Sequence, residues 1–131
     1  MPSRKVLFVN SKGLCTDIEF GALLPAADWE VHIAPSLSAA GRLISEQHFL
    51  VGFMLMLNPD ARFCAEIDDF LRSHPDIEWV GGFEAAALLL PECRDLIFER
   101  MFDHLTMPVD AQRLAATLGH AYGRATLRRG P

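Results

Sequence analysis

From Phe49 to Leu57 the chain runs nine residues without a charged or hydrogen-bonding side chain, then stops at Asn58-Pro59-Asp60. That run is about half of what a membrane span requires, and the residues ending it are turn formers. A strand with no polar face has to be covered on both sides. This is the setting of a central strand in a parallel sheet flanked by helices.

The other segments arrange themselves around it. Val6-Leu7-Phe8-Val9 reads as a first buried strand leaving through Asn10-Ser11-Lys12-Gly13. Thr16 or Asp17 can cap a short helix carrying Ile18, Leu23 and Leu24, limited by Pro25. Trp29 to Ala34 alternates Trp29, Val31 and Ile33 with Glu30 and His32, as a half-buried edge strand does, and Pro35-Ser36 opens a helix with Leu37, Ala40 and Ile44 on one face. Asp60 caps the helix after the central strand, whose Phe63, Cys64, Ile67, Phe70 and Leu71 share a face and which Ser73-His74-Pro75 ends. Ile77 to Val80 is a fourth strand, broken by Gly81-Gly82. A helical stretch then starts near Glu84 and is divided by Pro91. Phe102 to Thr106 is a fifth strand, and Asp110 caps a last helix with a stripe of Ala111, Leu114, Ala115, Leu118, Tyr122 and Ala125.

Five strand–helix alternations predict an α/β, flavodoxin-like doubly wound sheet of five parallel strands in order 2-1-3-4-5, with helices on both faces. In such folds chemistry sits at the carboxyl ends of the strands. Those ends are Asn10-Ser11, Met54 to Leu57, Gly81-Gly82 and Thr106-Met107-Pro108.

The chain's 131 residues make one domain, and 50% apolar with 22% charged residues is a globular rather than a disordered composition. A net charge of −5 without a basic stripe argues against direct nucleic-acid contact. Charge is uneven, however: after Val109, Arg113, Arg124, Arg128 and Arg129 face the single acid Asp110. Cys15, Cys64 and Cys93 are odd in number and lack paired spacing, which fits a reducing cytoplasm, and neither a signal segment nor a membrane span is expected. Residues 1–124 are expected to form the domain. Residues 125–131, ending Arg128-Arg129-Gly130-Pro131, read as the start of a linker to a further domain.

Most chemically suggestive residues have a plainer role. Asp60 could accept a phosphoryl group, but a helix-initial Asp is first a cap. Met54, Met56 and Met107 could line a cavity, yet methionine in an apolar run fills core gaps, and here the three would seal the strand ends. His32, His48, His74 and His120 have no ligand spacing, Gly81-Gly82 reads as a turn, and Glu66, Asp68 and Asp69 read as a solvated helix face. No metal or cofactor is expected.

One segment carries a resemblance. Phe102-Asp103-His104-Leu105-Thr106-Met107-Pro108-Val109-Asp110 resembles the aspartate–tyrosine–leucine–threonine–lysine–proline closing segment of response-regulator receiver domains, and the spacing of all five strands agrees. The resemblance implies paired acids after strand one to hold a divalent cation, an acceptor aspartate ending strand three, a hydroxyl after strand four and a lysine after strand five. A hard cation and a carboxylate nucleophile are what phosphoryl transfer to a protein requires. Here the acid positions hold Asn10 and Ser11, the acceptor position Leu55, the hydroxyl position Gly82 (or Gly81) and the lysine position Met107. Thr106 and Pro108 remain, so the resemblance implies a cis Met107–Pro108 bond, and the aromatic switch position holds His104. This set of losses resembles the N-terminal receiver-like domains of FleQ- and VpsR-type sigma-54-dependent regulators, in which an ATPase domain and a DNA-binding domain follow.

The expected function is accordingly non-enzymatic: a regulatory, homodimerising domain of a transcription activator that takes up no phosphate. The dimer is expected on the helix before strand five, through Leu96, Ile97, Phe98 and Met101, or on the last helix, through Leu114, Leu118 and Tyr122. The last three can equally be the stripe facing the sheet. The alternative function is a stand-alone flavodoxin-like adaptor or binder of a small ligand or nucleotide. Against it, Asn10-Ser11-Lys12-Gly13-Leu14 offers one glycine where a phosphate loop needs several.

Overall fold

A strand apolar on both faces needs neighbours on both edges and helices on both faces, and β3 (Val51–Leu57) obtains both. The computed structural model describes residues 4–10, 24–25 and 28–129. Along them run β1 (Arg4–Val9), β2 (Trp29–Ala34), α1 (Leu37–Glu46), β3, α2 (Ala61–Arg72), β4 (Glu78–Phe83), a 3₁₀ turn (Ala85–Leu89), α3 (Pro91–Arg100), β5 (Asp103–Thr106) and α4 (Ala111–Arg129). The strands form one parallel sheet in the order β2-β1-β3-β4-β5, as expected. The proposed helix at Thr16 or Asp17, with Ser11 and Cys15, lies outside the described residues.

Period-two alternation divides the interior into two cores. Val51, Phe53 and Leu55 join Val6, Phe8, Val80 and Leu105 beneath Leu114, Leu118 and Ala121 of α4. Met54 and Met56 join Leu7, Val9, Trp79 and Phe83 on the other face, under side chains of α1, α2 and α3. The register sets Phe8 beside Phe53, and Phe53 beside Val80. The Phe8 and Phe53 rings lie 5.2 Å apart.

The caps follow sequence chemistry. Ser36 accepts from the Ala39 N–H at 3.0 Å, Asp60 from Phe63 at 2.8 Å and Asp110 from Arg113 at 2.7 Å, each satisfying a donor that the first helical turn leaves open. Pro91 separates the 3₁₀ turn from α3 by taking the first helical position, where its missing N–H costs nothing. On α4 the buried stripe is Leu114, Thr117, Leu118, Ala121 and Ala125, while Ala111 is exposed. The helix continues unbroken to Arg129.

One expectation is overturned. Gly81 and Gly82 do not break the fourth strand but lie inside it, and β4 extends to Phe83. Both are glycines because neighbours lean across the strand. A Cβ at Gly81 would meet Met101 Sδ at 2.5 Å, and one at Gly82 would meet Phe53 Cζ at 2.6 Å and Met107 Cε at 2.7 Å. The fifth strand begins one residue later than expected, at Asp103, while the Phe102 N–H donates to the Trp79 carbonyl.

Gly52 is the tightest position, since an added Cβ would lie 2.3 to 2.8 Å from three Trp79 ring carbons. A buried indole cannot yield as a flexible chain end can. Gly52→Ala is therefore expected to destabilise the domain by about 2–3 kcal/mol, more than the roughly 0.4–1 kcal/mol gained by restricting the unfolded chain. Urea unfolding checks this, and an unchanged or raised midpoint contradicts it.

Candidate functional site

The carboxyl edge of the sheet brings Asn10, Leu55, Gly82, Thr106 and Met107 to the ends of four strands. Asn10 follows β1, is buried, and donates its backbone N–H to Ala34 at 2.9 Å. Leu55 is 3% exposed and stands opposite Gly82 in the register. The pairing shifts between Leu55 and Leu57, and Leu57 takes a φ of 23°. Beyond it the Asn58 side-chain amide donates to Glu84 at 2.6 Å, tying the loop after β3 to the loop after β4.

Met107 closes this edge. Its side chain packs on the core that holds Phe53 and Leu55, and its methyl group fills the space a side chain at position 82 would need. The Met107–Pro108 bond is cis, as the resemblance implied, and Thr106 ends β5 exposed. His104 lies half-buried with its ring 6.4 Å from that of Phe83. The center of the site is thus hydrocarbon: Leu55, Gly82 and Met107 supply no nucleophile, no hard-cation ligand and no cationic group. Ser11 lies outside the described residues, and among those described no group of three or more His, Cys, Asp or Glu side chains is placed to hold a metal ion.

Other candidate residues fall elsewhere. Asp60 is the α2 cap. Met54 and Met56 are buried on the opposite face of the sheet, so of the three methionines Met107 alone closes the site. His32 contacts Glu30 at 2.5 Å, and His74 stacks on Phe70, where burial pushes its pKa below the usual imidazole value. The acidic run on α2 is more than a solvated face. Half-buried Asp68 accepts from Arg100 at 2.8 Å and pairs with Arg72 at 3.3 Å, linking α2 to α3, while Asp69 also pairs with Arg72.

Cys64 and Cys93, distant in sequence, meet between α2 and α3 with their sulfurs 3.6 Å apart, both reduced and buried. Burial, the neighboring Cys93 thiol and the charge of Glu92 push Cys64 up to about 12. Glu78 also escaped notice, although a lone acid in Ile77-Glu78-Trp79-Val80 signals a need for a cation. It is buried at the start of β4 and paired with Arg128 of α4.

Of the expected dimer residues, Leu96, Met101, Leu114 and Leu118 are spent on the chain's own core, because the sheet needs those helix faces for cover. Ile97 is half-buried, and Tyr122 sits edge-on to Trp29 at 6.2 Å. Phe98 is 90% exposed.

This architecture defines a class: a CheY-like receiver domain, here with Leu55, Gly82 and Met107 at the carboxyl ends of its strands. The chain belongs to the VpsR domain family, which matches residues 2–119. Its structure is similar to a CheY-like receiver domain protein from Methanospirillum hungatei JF-1 (13% identity, 97% of this chain and 99% of that one, TM-score 0.77). NtrX from Brucella abortus is similar over 98% of this chain but 29% of its own (19% identity, TM-score 0.77). The receiver domain of the sensor histidine kinase PA1611 from Pseudomonas aeruginosa PAO1, described with magnesium coordinated in its active-site cleft, is similar over 93% of this chain and 99% of its own (16% identity, TM-score 0.71). No curated protein matches the chain in sequence.

Two measurements check this geometry. Leu55→Asp alone buries a carboxylate without a partner and is expected to cost about 3 kcal/mol or more. A wild-type melting temperature together with tight magnesium binding contradicts that expectation. In a Cys15→Ser background, Cys64 and Cys93 are expected to resist iodoacetamide at pH 7 until urea unfolds the chain, because the thiolate is the reacting form. Rapid alkylation of the native protein, read by intact mass, contradicts it.

Proposed function

We propose that this receiver-like domain is the N-terminal regulatory and dimerisation domain of a bacterial sigma-54-dependent transcriptional activator, working in the cytoplasm without taking up phosphate and without catalysing a reaction. The observation that carries this reading is the acceptor position itself. Leu55 lies buried opposite Gly82, where the Met107 side chain leaves no room even for a Cβ. A phosphoryl group there would need a carboxylate to bond to and positive charge to offset it. Neither is available from Leu55 or Met107.

Membership of the VpsR domain family supports the regulator assignment. The portion of NtrX that this chain covers, 29%, leaves most of that protein to other regions, and an ATPase and a DNA-binding domain after this one would be a comparable arrangement. Net charge of −5 disfavors direct nucleic-acid contact. Among the described residues no helix is long and apolar enough to cross a membrane.

A domain without a phosphorylation switch can still regulate by holding two copies together. The exposed Phe98 ring on α3 is apolar material left for such a contact once Leu96 and Met101 are assigned to the core and Ile97 packs against it, and exposed Leu127 offers the same on α4. Incubation with acetyl phosphate and magnesium is expected to leave the intact mass unchanged. Stoichiometric gain of about 80 Da overturns the non-phosphorylated reading. Sedimentation equilibrium at micromolar concentration is expected to show a dimer that Phe98→Glu converts to monomer. A wild-type monomer sinks the dimer, and a dimer indifferent to Phe98→Glu removes α3 from it.

A further inference from the structure

Cys64 is the fourth residue of α2 and Cys93 the third of α3, so each stands near the amino end of its helix. They are 29 positions apart in sequence, and packing of the two helices brings their sulfurs to 3.6 Å. Both thiols are free and buried. As space fillers, two small apolar side chains would serve this core equally well without setting oxidisable sulfurs against each other. The regulatory reading above uses neither.

A disulfide needs its sulfurs about 2.05 Å apart. The remaining gap of about 1.5 Å is one that rotation of two side chains and a small shift of one helix can close. A recess of about 230 Å³ between α2 and α3 gives that movement room, with Cys64 and Leu96 in its wall. Cys93 is not part of the wall, so the two sulfurs are unequal in their approach to solvent. A water molecule takes about 30 Å³ of liquid, and hydrogen peroxide is little larger, so the recess holds either. Glu92, Asp95 and Glu99 also border it, besides Asp68, which Arg72 and Arg100 already neutralise. Such a wall disfavors an anionic oxidant and leaves a neutral one unopposed.

We propose that Cys64 and Cys93 form a site of reversible oxidation, at which hydrogen peroxide entering the recess joins them as a disulfide that pins α2 to α3. The Cys64 sulfur gives an electron pair to one peroxide oxygen and the O–O bond breaks. The thiol proton leaves with the departing hydroxide as water, and Cys64 is left as a sulfenic acid. The Cys93 sulfur then displaces that hydroxyl, which takes the Cys93 proton and departs as a second water. Two thiols and one peroxide thus give one disulfide and two waters, the two sulfurs losing the two electrons that the peroxide oxygens gain. Reduction by a dithiol through thiol–disulfide exchange restores the pair.

Burial keeps both thiols protonated at rest, which makes the first step slow, as it does alkylation. The second step is fast, because the resolving sulfur is already in contact. A site of this kind responds to sustained peroxide rather than to a brief pulse. In a reducing compartment its disulfide is transient. The link joins the amino ends of α2 and α3, while Asp68 and Arg100 tie the same helices farther along, so oxidation holds α3 at both levels. The site stands independently of the dimer and of the absence of phosphorylation.

The test uses the 131-residue chain with Cys15→Ser, so that Cys64 and Cys93 are its only thiols. The reduced, folded protein is held for several hours in millimolar hydrogen peroxide at pH 7, then unfolded in urea with iodoacetamide and digested without reductant. The expected result is that neither cysteine is alkylated and that their two peptides appear as one species, lighter than the separate peptides by about 2 Da for the two lost hydrogens. Dithiothreitol is expected to return both thiols. The urea midpoint of the oxidised chain is expected to rise above that of the reduced chain, since a link between residues already in native contact restricts the unfolded chain. Cysteines that remain alkylatable while methionines in the same digest are oxidised overturn the proposal, as do sulfinic or sulfonic acids in place of the disulfide. A link that forms only in urea overturns it as well, and so does a lowered midpoint, which would mean that the bond pulls the helices apart from their native packing.

Discussion

A central parallel strand, covered by two separate cores, is the constraint on which the rest of this structure depends. Every side chain of β3 from Val51 to Met56 is buried, so every neighboring element must match it. Phe53 is met by Phe8 on one side and Val80 on the other, and Gly52 by the Trp79 indole. In a parallel sheet the functional edge lies where such a strand ends. Leu55 and Met107 bring the core all the way to that edge, so a place suited to charge is occupied by hydrocarbon. The same burial that stabilises the sheet removes the polar surroundings that a cation and a phosphoryl group need.

Polar interactions are accordingly pushed to the periphery, where they link elements that hydrophobic packing alone would leave free to slide. Asp68 joins α2 to Arg100 at the end of α3, Glu78 joins the start of β4 to Arg128 on α4, and Asn58 joins two loops through Glu84. Buried Glu78 matters most because a carboxylate without its cation in that position would be an uncompensated charge. These contacts place the charged groups at the start of β4 and the apolar ones at its end. The strand is chemically asymmetric along its length, with ion pairs around Glu78 and hydrocarbon around Gly82.

Much of the architecture was legible because it rests on local rules. The apolar run ending at Asn58-Pro59-Asp60 announced the central strand, and Ser36, Asp60 and Asp110 marked helix starts through side-chain oxygens that reach backbone N–H groups three residues on. Pro91 was read as a divider and is one, because proline fits only the first turn of α3. The replaced receiver positions could likewise be read one residue at a time: leucine has no carboxylate and methionine no charge, whatever surrounds them.

What stayed hidden depends on distances between segments far apart in sequence. Gly81-Gly82 looked like a turn because glycine is locally a breaker. Its role in β4 comes from Met101, Phe53 and Met107 crossing over it. Cys64 and Cys93 looked unrelated until α2 and α3 packed, and Asp68 looked solvated until Arg100 reached it from α3. The helix stripes could be listed by residue, but which of Leu96, Met101, Leu114 and Leu118 faced the sheet was set by docking, since periodicity defines a face without saying what it meets. The sequence by itself determined the fold class and the apolar character of the residues at the strand ends, because both follow from side-chain type and order. The tertiary structure alone decided that Met107 fills the space beside Gly82 and that Arg128 reaches buried Glu78, because both depend on the relative positions of strands and helices joined only through packing.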